Sequence, residues 1–164
     1  MRLNTKAFEK FIEEHQIPMN KGMNIDEFTI FSFPEKITVH GVEKPVLGGG
    51  TEKRAVIALR DDDTLADIYV FHITSTPNDE NTKIKLYKLF NDLNSTYKYV
   101  SFYEDQNVVS AKASIPFNNN FDAEIVFETL SVIFQAVEAE YEGIMDALNL
   151  KPKKSKIIDL KSMQ

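Results

Sequence analysis

The chain contains no cysteine, which removes disulfides, thiolate catalysis and sulfur-ligated metals in one step. That absence suits a reducing compartment. No apolar run approaches the roughly 20 residues that cross a bilayer, and residues 1–11 carry charges where a signal peptide needs an apolar stretch. The expected location is the cytoplasm, with no membrane partner. Positive charge is also short. The 19 Lys and Arg face 25 Asp and Glu, a net charge of −6, which works against the phosphate neutralisation that nucleic-acid binding depends on. No nucleic-acid partner is expected.

Catalytic and metal motifs are missing too. Gly48, Gly49 and Gly50, followed by Thr51 and Lys53, lack the GxxxxGK[ST] spacing and precede a strand pattern where a phosphate loop needs a helix, so they read as a flexible loop. Asp61, Asp62, Asp63 and Asp67 lack the alternating ligands, turn glycine and bidentate Glu of a calcium loop, and read as a solvated hairpin tip. Glu128, Glu138, Glu142 and Asp146 lie outside the apolar stripe of the last helix, with no Glu-x-x-His pattern for a di-iron site. None of His15, His40 and His72 has a second ligand at metal spacing. His15 is expected partly buried on an apolar helix face, and His72 inside a strand. With no G-x-S-x-G elbow either, the expectation is a protein that is not an enzyme and uses no metal or cofactor.

What is present is a globular composition, 43% hydrophobic and 27% charged. A single domain of this length buries roughly 70% of the surface its unfolded chain exposes, so residues 1–150 are read as one domain. Residues 151–164 are read as a tail carrying Lys151, Lys153, Lys154, Lys156 and Lys161. Folding back onto the acidic last helix, or solubility, accounts for that cluster, because no aromatic residue is interleaved to stack on bases.

Residues 5–15 show helical periodicity through Phe8, Phe11, Ile12 and His15, with Asn4 as N-cap and Leu3 and Phe8 as a hydrophobic staple. From Glu27 the pattern turns to strand. Phe28 and Ile30, then Phe31 and Phe33 on the opposite parity, suggest a strand buried on both faces or carrying a bulge. Residues 37–42 read as one short edge strand, residues 53–60 as an interior strand, and residues 65–74, apolar on both parities, as the central strand. Residues 82–97 return to helical spacing through Leu86, Leu89, Phe90, Leu93 and Tyr97. Residues 98–104 and 107–115 form a hairpin around Asp105 and Gln106. The longest signal is residues 122–148, where Val126, Phe127, Leu130, Ile133, Phe134, Val137, Tyr141, Ile144, Met145 and Leu148 form one apolar stripe. The expected class is α+β, an antiparallel sheet of five to six strands with three helices in the order helix, strands, helix, hairpin, helix.

Three sets of residues stand out as candidate functional surfaces. On the last helix, Ile125, Val132, Ala136, Ala139 and Gly143 make a second stripe whose small members would admit another backbone. On the middle helix, Ile84, Tyr87, Asn91 and Asn94 form an uncharged second face where a solvated helix normally carries charge, which suggests a two-fold homodimer. Phe31, Phe33 and Tyr69 would line a ligand pocket between sheet and helices.

The run Leu86-Tyr87-Lys88-Leu89-Phe90-Asn91-Asp92-Leu93-Asn94, the strand Tyr99-Val100-Ser101-Phe102-Tyr103, its partner from Val108 to Ile115-Pro116 and the long closing helix together resemble the YbjN-type domain family. That family shares its fold with type III secretion chaperones. The resemblance covers about residues 82–148 and implies a regulatory or chaperone-type adaptor that dimerises and binds a protein partner, with no family site residues to carry over. The function expected is thus a non-catalytic protein-binding adaptor or chaperone-like module. The alternative is a small-molecule sensor using the aromatic pocket.

Overall fold

The computed structural model describes residues 2–34, 36–45 and 53–151. The elements are α1 (Leu3–Glu14), β1 (Asn20–Ile25), β2 (Phe28–Ser32), β3 (Lys36–Val39), β4 (Val42–Pro45), β5 (Arg54–Arg60), β6 (Leu65–Ser75), α2 (Glu80–Thr96), β7 (Ser101–Asp105), β8 (Val108–Pro116) and α3 (Ala123–Ala147). Six strands make one antiparallel sheet in the order β1-β2-β5-β6-β8-β7, while β3 and β4 pair only with each other. The class is the expected α+β, with the helices gathered on one face of the sheet.

Strand alternation selects that face. The row Phe31, Ile57, Ile68 and Ala113 is in register across β2, β5, β6 and β8. All four are buried, and they share one core with Phe8 and Ile12 of α1, Leu86, Phe90 and Leu93 of α2, and the α3 stripe from Val126 to Leu148. The α3 stripe is the one the helical spacing identified. Val70 and Ile73 both enter this core although their parity differs, because the β6–β8 register shifts between Val70 and Thr74. At that bulge His72 adopts φ 61°, its N–H donating to Ser110 Oγ at 3.2 Å. From Val70 to Thr74 β6 advances four residues while β8 advances two, from Ala111 to Val109, so β6 carries two extra residues here and its alternation is broken at the irregularity. Of the two readings offered for residues 28–33, neither holds for β2: its residues alternate half-buried and buried, and it pairs β5 without a break, while the irregularity in this hairpin lies in β1 between Lys21 and Asn24.

Several local expectations are corrected. Strand β1 carried no signal, since all six of its residues are exposed and no period marks them. The single strand expected at residues 37–42 is instead the β3–β4 hairpin, turned at His40 (φ 50°) and Gly41 (φ 77°), a left-handed pair that suits a two-residue turn. The β7–β8 turn falls on Gln106 and Asn107, both with positive φ, because Asp105 pairs Val108. Asn4 is not the N-cap of α1. The helix starts at Leu3, and the amides of Leu3 and Asn4 donate to Asp63 at 3.0 and 2.9 Å. Leu3 lies exposed, so no staple forms, and His15 is exposed as well, its ring 4.4 Å from that of Phe11.

The acidic run 61–63 is likewise more than a solvated tip. Asp61 accepts from Arg2 (3.3 Å), Asn24 (2.6 Å) and Thr29 (3.0 Å), so the β5–β6 turn ties α1 to the β1–β2 hairpin. The other two helices are capped locally. Asp79 accepts from the amide of Thr82, and Asp122 accepts from those of Glu124 and Ile125. The glycine loop at residues 48–51 and the tail beyond Lys151 lie outside the described residues.

Candidate functional site

The three aromatic residues expected to line a pocket are not brought together. Phe31 and Phe33 are core residues, Phe31 packing edge-on against Phe8 at 4.9 Å. Tyr69 follows Ile68 in β6 and points to the opposite face of the sheet, where its ring stacks on Phe71 at 4.6 Å. Burial there raises its phenol pKa, with Asp67 adding to the effect.

The uncharged face of α2 has an intramolecular use. Asn94 donates to the carbonyl of Phe102 at 3.1 Å and accepts from its amide at 2.8 Å. The Tyr87 hydroxyl donates to Glu104 at 2.6 Å. Both partners belong to β7, the outermost strand, so this helix face seals a sheet edge that would otherwise pair with another chain. Glu104 also accepts from the amide of Asn107 at 2.8 Å, with Lys83 at 3.9 Å. The Tyr87 hydrogen bond, then the Asn107 amide and Lys83, hold its carboxyl below the usual range. Asn91 contributes its carbonyl to Ser95. Of the four, Ile84 and the ring of Tyr87 remain exposed large apolar groups.

The α3 stripe divides in two. Ala136 is buried, whereas Ile125 is 54% and Val132 42% exposed, and Ala139 and Gly143 are exposed further along. Ile125 and Val132 do not stand alone. Tyr99, 75% exposed on the segment leading into β7, lies beside them. The three line a continuous groove made of two adjoining hollows of about 520 and 570 Å³ that share Tyr99, Ile125 and Thr129. Its sheet wall is the end of β8 from Lys112 to Pro116 together with Ser101, its helix wall is the first half of α3, and Lys98 stands at its margin. Charge is segregated across it: Lys98 and Lys112 on the sheet side, Glu124 and Glu128 on the helix side. The Lys112 ammonium sits 5.0 Å from the centre of the Tyr103 ring.

The pattern of Tyr99 to Tyr103 reads as a strand throughout, whereas Tyr99 lies outside β7 and is exposed. It lies at a bend before β7, which begins at Ser101, so strand parity does not place it; its ring lies with Ile125, Thr129 and Val132 of α3. Lys53, noted beside the glycine loop, is instead 4% exposed against α3, its ammonium 4.6 Å from the centre of the Tyr141 ring. Burial lowers its pKa, and the Glu138 carboxylate opposes that fall. Among the described residues no group of three His, Asp or Glu side chains is placed to hold a metal ion. No described helix is long and apolar enough to cross a membrane.

The arrangement offers an apolar, partly charged groove at a sheet edge, suited to holding a chain segment. No family model matches the chain, and no curated protein matches it in sequence. In fold it is similar to the crystal structure of YbjN, a proposed transcription regulator from E. coli, with a TM-score of 0.52 and 10% identity over 85% of this chain and 92% of that one. The likeness is one of fold, and it extends the resemblance beyond residues 82–148 to most of the chain.

Proposed function

We propose that this chain is a non-catalytic protein-binding adaptor, a chaperone-like regulatory module that holds a partner segment in the groove between β8 and α3. The observation that carries the reading is the contiguity of Tyr99, Ile125 and Val132, three large apolar side chains exposed side by side. Scattered exposed apolar residues are ordinary, but a contiguous patch rimmed by charge marks an interaction surface. The YbjN-like fold supports a regulatory setting, since that protein is described as a proposed transcription regulator. The module works as a homodimer in this reading, with Ile84 and the outer ring face of Tyr87 meeting their copies. A sensor function draws no such support, because the aromatic residues that would form its pocket lie on opposite faces of the sheet.

A photo-crosslinking amino acid at Ile125 or Val132, with Met23 at the far sheet edge as the control, tests the adaptor reading in cells. Discrete protein adducts are expected from positions 125 and 132 and not from 23. Equal labelling from all three, or none, would overturn it.

A further inference from the structure

The groove is more selective than an apolar patch, because the register of the sheet leaves part of a strand unpaired inside it. β8 pairs β6 from Val108 to Pro116, whereas β7 pairs β8 only from Val108 to Lys112. Ala113 to Pro116 therefore overhang β7. The direction of the free groups is set by the ladder. Phe117 donates its amide to the Thr64 carbonyl at 2.8 Å, so residues 117, 115 and 113 turn their main-chain groups toward β6. The N–H and C=O of Ser114 turn the other way, into the groove. Pro116 adds an acceptor without a donor. One turn away α2 closes the edge by bonding both main-chain groups of Phe102 through Asn94. Among the described residues Ser114 has no counterpart to that seal.

We propose that this overhang receives an extended segment of a partner protein as an added strand in line with β7, and that it selects segments in which aliphatic and acidic residues alternate. The inference rests on the adaptor reading above and adds to it a backbone mode and a charge pattern. An added strand presents successive side chains to opposite faces. Those on the helix side meet Ile125, Thr129 and Tyr99, and an acidic group there would also face Glu124 and Glu128. Aliphatic residues fit that face. Those on the outer side lie beside Lys112, which makes no ion pair among the described residues, with Lys98 at the margin. Acidic residues fit beside Lys112, since the Asp67 carboxylate on this face is already engaged by the Ser114 hydroxyl at 2.6 Å and the Tyr69 hydroxyl at 3.5 Å. The same charges that attract one pattern thus reject its inverse.

The test uses the full chain and a fluorescent octapeptide alternating valine with glutamate, against one alternating valine with lysine and a valine–glutamate peptide N-methylated at alternate residues. Anisotropy is expected to show the valine–glutamate peptide binding at least about tenfold more tightly than the lysine form and the N-methylated form losing binding. Hydrogen exchange at the Ser114 amide is expected to slow when the first peptide binds. The Lys112→Glu variant, with its fold checked by thermal melting, should reverse the order of the two charge patterns; if that variant does not fold, the N-methyl comparison on the unaltered chain decides alone. Equal binding of the glutamate and lysine peptides, undiminished binding of the N-methylated one, or unchanged exchange at Ser114 would overturn strand addition. Failure of the peptides alongside adducts from Ile125 would reject this mode and leave the adaptor reading standing. Failure of both would reject both.

Discussion

Replacing Asp63 by alanine tests whether the β5–β6 turn caps a helix sixty positions away in sequence. Its carboxylate accepts from the amides of Leu3 and Asn4 at 3.0 and 2.9 Å, two of the donors that a helix N-terminus leaves without an intrahelical partner. Loss of a cap costs about 1 kcal/mol, and loss of a negative charge at the positive end of the helix dipole adds about 0.5 kcal/mol. Asp63 also sits at φ 63°, a conformation that alanine tolerates less well than aspartate by about 1 kcal/mol. The expected loss for Asp63→Ala is therefore about 2–3 kcal/mol. Asp63→Asn keeps the tolerance for positive φ and one acceptor oxygen, but it sets an NH2 against the second helix amide and removes the charge, so it should lose about 1.5 kcal/mol. Urea denaturation followed by far-ultraviolet circular dichroism measures both, with the dependence on urea unchanged if the unfolded state is unaltered. Asp62→Ala is the control, since the Asp62 carboxylate serves Thr64 and Arg60 and not the helix. A loss for Asp63→Ala no larger than that for Asp62→Ala would refute the cap.

Three further outcomes are expected. Burial holds the Lys53 ammonium below its ordinary value of 10.5, so between the two values the unfolded chain binds more protons and stability rises with pH; Lys53→Met should abolish that rise and stabilise the fold at neutral pH by about 1 kcal/mol, and a less stable variant in thermal melts would refute the assignment. Glu104 is held below its ordinary 4.5 by Tyr87 and the Asn107 amide, so its contribution is complete above 4.5 and disappears as pH falls through its folded value; Glu104→Gln should lower the melting temperature at pH 7 and flatten the acid limb, and an unchanged limb would count against the pairing. For the homodimer, light scattering at about tens of micromolar, where an association of about 8 kcal/mol is visible, should show a dimer for the wild type and a monomer for Ile84→Asp; a monomeric wild type ends the proposal.

Local pattern was enough to determine the class and most of the elements. Period 3.6 in α2 and α3 and the alternation of β5 and β6 come from which side of each element must leave water, and that requirement is written into neighbouring residues. The same logic separated Ile125 and Val132 from the main α3 stripe. Tertiary structure decided what local pattern does not encode. An exposed edge such as β1 buries nothing and leaves no period. The His72 irregularity appears in sequence only as apolar residues on both parities, since it is the register against β8 that reveals the two extra residues. The spacing of Tyr87 and Asn94 marked an unusual helix face, but only the approach of β7 shows that their polar groups close a sheet edge. The groove depends on where β7 stops pairing relative to β8. That is a difference between two long-range registers, and a one-residue slip in either would move every side chain on the strand to the other face.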